Sequence, residues 1–187
     1  MQKVINIEPT PNPDALKFVV KYPFGLPGAR SFMDFGAAVG DPLAAALFAL
    51  GNVCSVFYRD RFVTVNKEPS AAWKDLIDPI WDAIEETRPV EDTAGTGLGA
   101  GFDSGLGAAP GRDGLLQKIM QVVEDSIGPG LAGDGGGLEI ISFDGSTLSI
   151  AYQGACGSCP EAGTSTLQFI EGLLRQEVSP DINVVMA

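Results

Sequence analysis

Apolar residues recur every three to four positions in four segments of the chain, which is the spacing of an α-helix that buries one face. Asp41 followed by proline is typical of an N-cap, and it predicts a short helix over residues 42–50. Ser70 is the predicted cap of a second helix, and two more are predicted to begin near Asp113 and at Pro160. The residues predicted to form the buried faces of the last three helices are Trp73, Leu76, Ile77, Ile80, Trp81 and Ile84; Leu115, Ile119, Val122, Val123 and Ile127; and Leu167, Ile170, Leu173 and Leu174.

Shorter segments between the helices alternate apolar and polar residues or are rich in β-branched and aromatic residues, which predicts strands. Tight turns near Asp60 and at Asp144-Gly145 predict two hairpins. The alternation around Cys54 predicts a buried core thiol, and the glycine-rich residues 128–137 (GPGLAGDGGG) are predicted to form a loop. The predicted strands are 15–22, 53–59, 61–66, 138–143, 147–153 and 182–186, with an extended lead (EPTPNP) before the first.

One segment, from Thr87 to Arg112, shows neither helical nor strand periodicity. Glycine recurs there at almost every second residue, and few apolar side chains are present to offset the entropy of ordering the chain. This composition predicts a flexible linker over residues 87–112 between a domain at 1–86 and a domain at 113–187. Because each domain mixes helices with strands, the predicted fold class is α+β, with two small α+β domains joined by a flexible Gly-rich linker.

The 187 residues carry a formal net charge of −12, which is concentrated in the second half of the chain: residues 1–90 have net −2 and residues 91–187 have net −10. Nucleic-acid affinity comes mainly from Lys and Arg, so this charge argues against a nucleic-acid partner. The longest apolar run, residues 43–50, is far shorter than the about 20 residues of a membrane span. With only three cysteines and no apolar leader at its start, the sequence predicts a cytoplasmic protein with no membrane partner.

Two of the three cysteines, Cys156 and Cys159, lie in the stretch GACGSCPEAG between a predicted strand and a predicted helix. Backbone N–H groups at a helix N-terminus favour negative charge, so these thiols are expected to ionise readily to thiolate, the form that binds metal. A CxxC loop can place both sulfurs on one ion or one cluster. The chain contains no histidine, and Cys54 belongs to the other predicted domain. The second domain therefore supplies two of the four ligands that most such sites need.

The residues alone leave three roles open for this pair: a redox disulfide, an ion or cluster shared between two chains, and a purely structural role. Thioredoxin-like sites also place CxxC between a strand and a helix, but here only one short strand follows that helix. Two CxxC loops across a symmetric dimer would supply four thiolates, the number that a [4Fe–4S] cluster or a tetrahedral zinc ion takes. Asp134-Gly135-Gly136 is interpreted as a turn that needs positive φ, with Asp134 as an oxygen donor during iron loading as the alternative.

A family resemblance bears on this choice. The run LAGDGGGLEIISFDGSTLSIAYQGACGSCPEAGTSTLQFIEGLL resembles the NifU-like C-terminal domain of Nfu-type iron–sulfur cluster carriers, in which a DGG turn, a hairpin, CxxCP and a helix follow in this order. The segments EPTPNPDALKF, DPLAAALFAL and VFYRDRFVTVNKE resemble the Nfu N-terminal domain. The resemblance covers nearly the whole chain except the predicted linker. Gly137 and the EAGTS segment after the CxxCP depart from the common family pattern.

The resemblance implies an iron–sulfur cluster scaffold or carrier rather than an enzyme. Cys156 and Cys159 of each of two chains would be the metal-binding and cofactor-binding residues, and they would hold a [4Fe–4S] cluster, with [2Fe–2S] as the other candidate. The implied partners are an upstream cluster donor, apo iron–sulfur client proteins, and a second copy of the chain in a cluster-dependent homodimer. The alternative function is a thiol–disulfide oxidoreductase that uses the same two cysteines.

Overall fold

The computed structural model describes residues 4–25, 28–87, 112–157 and 162–187, with the backbone alone for 112–113 and 162–165. The chain divides into two compact units, Met1–Gly101 and Phe102–Ala187, called here the N-terminal unit and the C-terminal unit. Both units combine helices with a sheet, so the predicted α+β fold class is confirmed. The predicted linker lies outside the described residues except at its ends, and the domain bounds 1–86 and 113–187 stay a prediction. None of the described helices has the length and apolar character needed to span a membrane.

The N-terminal unit is built on a five-stranded antiparallel sheet in the order β1-β2-β5-β4-β3. Its elements are β1 (Val4–Pro9), β2 (Ala15–Val20), β3 (Arg30–Phe32), α1 (Pro42–Ala49), β4 (Val53–Arg59), β5 (Phe62–Lys67) and α2 (Trp73–Glu86). The two helices and the sheet bury one continuous core, whose largest members include Phe18, Leu43, Leu47, Tyr58, Ile80 and Ile84.

The start of α1 follows the prediction and the start of α2 does not. The Asp41 carboxylate accepts a hydrogen bond from the Ala44 N–H at 2.9 Å, which confirms Asp41 as the N-cap of α1. The predicted Ser70 cap is wrong, because α2 begins at Trp73 and the cap position is occupied by Ala72, whose side chain makes no capping bond. A turn in which the Ala71 N–H donates to the Glu68 carbonyl separates Ser70 from the helix. Strand β3, with three residues, is too short to show a periodicity in the sequence.

The C-terminal unit is built on a three-stranded sheet in the order β6-β7-β8. Its elements are α3 (Arg112–Val122), a π-helical turn (Val123–Ile127), α4 (Gly128–Gly133), β6 (Gly136–Phe143), β7 (Thr147–Gly154), α5 (Ala162–Glu177) and β8 (Asn183–Met186). The predicted β6–β7 hairpin is confirmed, with Gly145 at φ 113 and the Asp144 carboxylate accepting hydrogen bonds from the backbone N–H groups of Ser146 and Thr147. Strand β8 pairs with β7 in parallel after the α5 crossover. The core of the unit includes Ile119, Ile127, Leu131, Phe143, Leu148, Ile150, Tyr152, Ile170, Leu174 and Val184.

The predicted loop over residues 128–137 is wrong, because residues 128–133 form helix α4 and residues 136–137 begin β6. Pro129 is the second residue of α4 and lies directly after the π-helical turn Val123–Ile127, so the helix changes its hydrogen-bonding pattern where proline removes a backbone N–H. Leu131 is buried in the core of the unit and anchors this short helix. Burial of that one side chain thus outweighs the poor helix propensity of the surrounding glycines.

Cys54 also differs from its prediction, because it is exposed rather than buried. The pairing of β4 with β5 is irregular at this point: Val53 lies opposite Lys67 and Ser55 lies opposite Asn66, which leaves Cys54 as an extra residue in a β-bulge. The extra residue breaks the strict alternation on which the prediction depended. The pKa of the Cys54 thiol is raised by partial burial and by the negative charges of Glu68 and Asp14.

Candidate functional site

Cys156 lies in a tight turn that directly follows β7. The strand ends at Gly154, whose φ of +65 is readily adopted by glycine and redirects the chain. The Gly157 N–H donates to the Gly154 carbonyl at 3.1 Å and closes the turn. Ala155 is buried, and Cys156 is half-buried against the core of the C-terminal unit. The turn therefore presents the Cys156 thiol at the edge of that core.

The end of α4 supports this turn through Gly135. The N–H groups of Asp134 and Gly135 donate to the carbonyls of Gly130 and Ala132, each at 3.2 Å, and Gly135 has a φ of +75. The positive φ at Gly135 confirms the predicted turn at Asp134-Gly135, whereas Gly136, predicted to belong to the turn, is the first residue of β6. The Gly135 carbonyl then accepts a hydrogen bond from the Ala155 N–H at 3.2 Å. One hydrogen bond thus connects the end of α4 to the residue immediately before Cys156.

Gly136 makes the closest approach to the thiol. It pairs with Gly154 across the hairpin, and a Cβ atom added to Gly136 would lie 2.5 Å from the Cys156 Sγ and 2.9 Å from the Gln153 carbonyl oxygen. Both distances are below any ordinary contact of a Cβ atom, so this strand position accommodates the thiol only because it lacks a side chain. The sulfur occupies the space above the backbone of β6 that a side chain would fill.

Tyr152 lies on the core side of the same turn. A Cβ added to Gly157 would lie 2.9 Å from the Tyr152 carbonyl oxygen, so the turn also packs closely against the backbone of β7. The Tyr152 side chain is 6% exposed, and its hydroxyl has no hydrogen-bond partner among the described residues. Burial, and after it the negative charge of Cys156, raises the pKa of the Tyr152 phenol to about 12. The phenol therefore remains a hydrogen-bond donor at neutral pH.

A polar pair occupies another part of the same hairpin. The Gln153 side-chain amide donates to a Glu139 carboxylate oxygen at 2.7 Å. Burial raises the pKa of Glu139, while the hydrogen bond from Gln153 lowers it by a smaller amount. Because Gln153 precedes Gly154 directly, this pair fixes the end of β7 on the side where the turn to Cys156 begins.

The two predicted ligands have different outcomes. The structure places Cys156 over Gly136, whereas Cys159 and Pro160 lie outside the described residues, and Cys54 belongs to the N-terminal unit. In the described ranges, no group of three or more His, Cys, Asp or Glu side chains is arranged to hold a metal ion. The chemistry on offer is a sulfur ligand with soft character, which suits zinc, Cu(I) or iron–sulfur clusters rather than magnesium or calcium.

Two residues of the site were not identified from the sequence. The sequence predicts a turn at Gly136, whereas the structure packs the Cys156 thiol against its backbone, a contact between residues far apart in the sequence. Tyr152 received no role. Its signal was present in the alternation of β7, which places Leu148, Ile150 and Tyr152 together on the core face and so predicts a buried hydroxyl.

Curated relatives match this chain over most of its length. It is 32% identical over 185 residues to "NifU-like protein 5, mitochondrial" of Arabidopsis thaliana, covering 94% of this chain and 64% of the relative. It is 30% identical over 184 residues to "NFU1 iron-sulfur cluster scaffold homolog, mitochondrial" of Drosophila persimilis, covering 91% and 60%. It is 29% identical over 189 residues to "NifU-like protein C1709.19c" of Schizosaccharomyces pombe, covering 97% and 71%. The chain spans less than two thirds of the length of the first two relatives.

The predicted cytoplasmic location is contradicted by this comparison, because the Arabidopsis and Drosophila relatives are both named mitochondrial. The prediction depended on the absence of an apolar leader and on the expectation of reduced thiols. Reduced thiols require only a reducing environment, and the first residues of a chain that matches part of longer relatives carry no information about a compartment.

Two family models match the chain in the order of the two units. Residues 5–89 match "Scaffold protein Nfu/NifU N terminal", and residues 119–185 match "NifU-like domain". The second match includes the β6–β7 hairpin, the turn with Cys156, α5 and nearly all of β8. Because both family models match in turn, and because the relatives align with more than nine tenths of the chain, the protein belongs to the Nfu family of NifU-like proteins.

Proposed function

We propose that this protein is an iron–sulfur cluster scaffold and carrier, which holds a labile [4Fe–4S] cluster between two chains and transfers it to apo-proteins. The observation that carries the proposal is the position of the Cys156 thiol, which is half-buried at a turn and packs against Gly136. Any side chain larger than hydrogen at Gly136 would overlap the sulfur. Membership of the Nfu family supports it, as does the Drosophila relative that is named an iron-sulfur cluster scaffold homolog.

The number of ligands supports sharing of the cluster between chains. A [4Fe–4S] cluster takes four cysteine thiolates, and the C-terminal unit contains two cysteines, Cys156 and Cys159. The chain has no histidine, and its third cysteine lies in the N-terminal unit. A second copy of the chain, related by a two-fold axis, would bring the other two thiolates. The same count of four ligands would also fit a [2Fe–2S] cluster.

Release from such a site needs no oxidant or reductant. Each iron–thiolate bond to Cys156 or Cys159 breaks as a cysteine thiolate of the acceptor forms a bond to the same iron, so the count of iron–sulfur bonds and the charge of the cluster are unchanged. The thiolates left on the carrier then take up protons from water. A thiol at the surface of the core is accessible to such an incoming thiolate, whereas a cluster enclosed by four ligands of one chain would be less so.

The proposed partners follow from this exchange. An upstream cluster donor loads the site, apo iron–sulfur proteins receive the cluster, and a second copy of the chain completes the ligand set. The carrier is unchanged by one cycle and forms no covalent product with its cargo, so the proposed role is transfer rather than enzymatic turnover.

The test is anaerobic reconstitution of the full chain with iron, sulfide and thiol, followed by addition of an apo-ferredoxin as acceptor. We expect the wild-type protein and a Cys54→Ser variant to gain the broad visible absorption of a cluster and to pass it to the acceptor. Cys156→Ser and Cys159→Ser should each lose both properties while retaining the far-ultraviolet circular dichroism of the folded chain. Cys54→Ser is the matched control, because Cys54 is an exposed thiol in the other unit.

Two results would contradict the proposal. A colourless wild-type protein that reduces insulin disulfides, with the activity lost in Cys156→Ser, would favour a thiol–disulfide oxidoreductase. A colourless protein that binds one zinc ion per two chains would favour a structural dimer.

A further inference from the structure

The buried hydroxyl of Tyr152 has no hydrogen-bond partner among the described residues, although the side chain is 6% exposed. It is the one buried side-chain polar atom of this kind in the described part of the C-terminal unit. A buried O–H that leaves water without gaining a partner is costly, so most such groups in native proteins have one. A phenylalanine would fill the same space without that cost. The hydroxyl therefore requires an explanation beyond packing.

The location of Tyr152 suggests what that explanation is. Tyr152 belongs to the buried core against which Cys156 packs, and its carbonyl oxygen is in close range of Gly157, the residue after Cys156. Burial, and after it the negative charge of Cys156, raises the pKa of the Tyr152 phenol. The hydroxyl is thus buried in the same core against which Cys156 packs, where water does not reach it.

The chemistry of the cargo supplies the missing acceptor. A phenol O–H donates one hydrogen bond, and thiolate and sulfide sulfurs that carry negative charge accept it. Cys156 carries such a sulfur when it is ionised or bound to a cluster. Hydrogen bonds to the sulfurs are one of the factors that set the reduction potential of an iron–sulfur cluster.

We infer that Tyr152 is a positioning residue for the bound cluster. Its O–H donates a hydrogen bond to a cluster or thiolate sulfur near Cys156, which slows release of the cluster and raises its reduction potential. This inference rests on the proposed function, because it needs a cluster at Cys156. Without a cluster the hydroxyl has no hydrogen-bond partner among the described residues, and a bound cluster would supply the acceptor.

The test compares wild type with Tyr152→Phe after anaerobic reconstitution of the full chain. We expect the variant without cluster to be at least as resistant to thermal unfolding as wild type, because an unpaired buried O–H has been removed. The loaded variant should lose iron to a chelator on the order of tenfold faster, the factor for one hydrogen bond to a charged acceptor. Its reduction potential should fall. Electron–nuclear double resonance of the reduced cluster in D₂O should show one exchangeable deuteron fewer.

Ile150→Val is the matched control, because Ile150 is fully buried on the same face of β7 and its shortening removes packing but no hydrogen-bond donor. We expect this variant to unfold at lower temperature and to keep the wild-type potential and deuteron signal. Equal potentials and equal deuteron signals in wild type and Tyr152→Phe would overturn the role of Tyr152 and leave the proposed function intact. A wild-type chain that takes up no cluster would overturn both.

Discussion

The buried polar groups around Asp41 and around Tyr152, one in each unit, differ in how far their hydrogen bonds are satisfied. The buried Thr64 hydroxyl of the N-terminal unit, like that of Tyr152, has no partner among the described residues. In the N-terminal unit, the 4% exposed Asp41 caps α1, pairs with Arg30 at 2.9 Å and accepts a hydrogen bond from the Tyr58 hydroxyl, so every member of the group is satisfied. In the C-terminal unit, the buried Tyr152 hydroxyl lacks a partner among the described residues and a thiol sits against a bare strand backbone. The Asp41 group is satisfied by its own neighbours, whereas the Tyr152 hydroxyl needs an acceptor from outside the described residues.

The two units also differ in how much apolar side chain surrounds these groups. The N-terminal unit has a five-stranded sheet and a core with large aromatic members, whereas the C-terminal unit has three strands and many glycines near its thiol. Glycine at close approaches contributes no apolar burial, so the site region gains little stability from its own side chains.

Replacement of Asp41 by Ala should have the largest effect, because it removes the carboxylate that pairs with the largely buried Arg30 and removes the cap of α1. We expect a loss of about 3 kcal/mol or more in the free energy of unfolding of the N-terminal unit. Both tryptophans, Trp73 and Trp81, lie in α2, so tryptophan fluorescence during urea unfolding reports on this unit alone. Asp41→Asn, which keeps an oxygen at the cap, should lose less.

If Asp41→Ala also abolished cluster uptake in reconstitution, the two units would not be separable in function. Unchanged cluster content, together with a lower urea midpoint by fluorescence, is the expected result.

Replacement of Gly136 by Ala should have the next largest effect, because the new Cβ would overlap the Cys156 sulfur and the Gln153 carbonyl. Such overpacking typically costs about 1–3 kcal/mol, and here it would displace the thiol as well. We expect less cluster per chain on reconstitution and a lower unfolding temperature of the C-terminal unit, measured by circular dichroism. Gly130→Ala is the control, since nothing lies within 4 Å of a Cβ at that helical position.

Alanine at Gly130 should leave stability equal or slightly higher, as expected for Gly→Ala within a helix. Full cluster content in Gly136→Ala would show that the close contact with the sulfur has no part in binding.

Replacement of Glu139 by Gln should have the smallest effect. Burial raises the pKa of Glu139 above its ordinary 4.5, so its protonated form is favoured in the fold. That contribution is complete below pH 4.5 and is lost as the pH rises through the folded-state pKa. Glutamine cannot ionise and still accepts the hydrogen bond from Gln153, so Glu139→Gln should unfold at a higher temperature than wild type at pH 7 and at the same temperature at pH 4. An opposite pH dependence would contradict the assigned cause of the shift.

Local signals in the sequence predicted the fold well where structure depends on neighbouring residues. Asp41 with the following proline marked the start of α1, and Asp144-Gly145 marked the β6–β7 hairpin, since caps and tight turns are set within a few residues. The predictions were wrong where contacts between residues distant in the sequence determine the local structure. Burial of Leu131 made a helix of a glycine-rich segment, and a bulge turned Cys54 outward.

The candidate site divides in the same way. The CxxC spacing identified Cys156 as a thiol at a strand end, because spacing is a local property. The role of Gly136 depends on a cross-strand contact with a residue twenty positions later, which no periodicity records. Tyr152 shares the core face of β7 with two aliphatic residues, and only the absence of a partner for its hydroxyl distinguishes it from them.

The most direct test of the central claim, that two chains share one cluster, is native mass spectrometry of the anaerobically reconstituted protein. We expect a dimer whose mass exceeds that of two chains by one cluster of four irons and four sulfides, and a return to monomer when a chelator removes the cluster. A cluster carried by a single chain, or a dimer whose mass is unchanged by chelation, would contradict it.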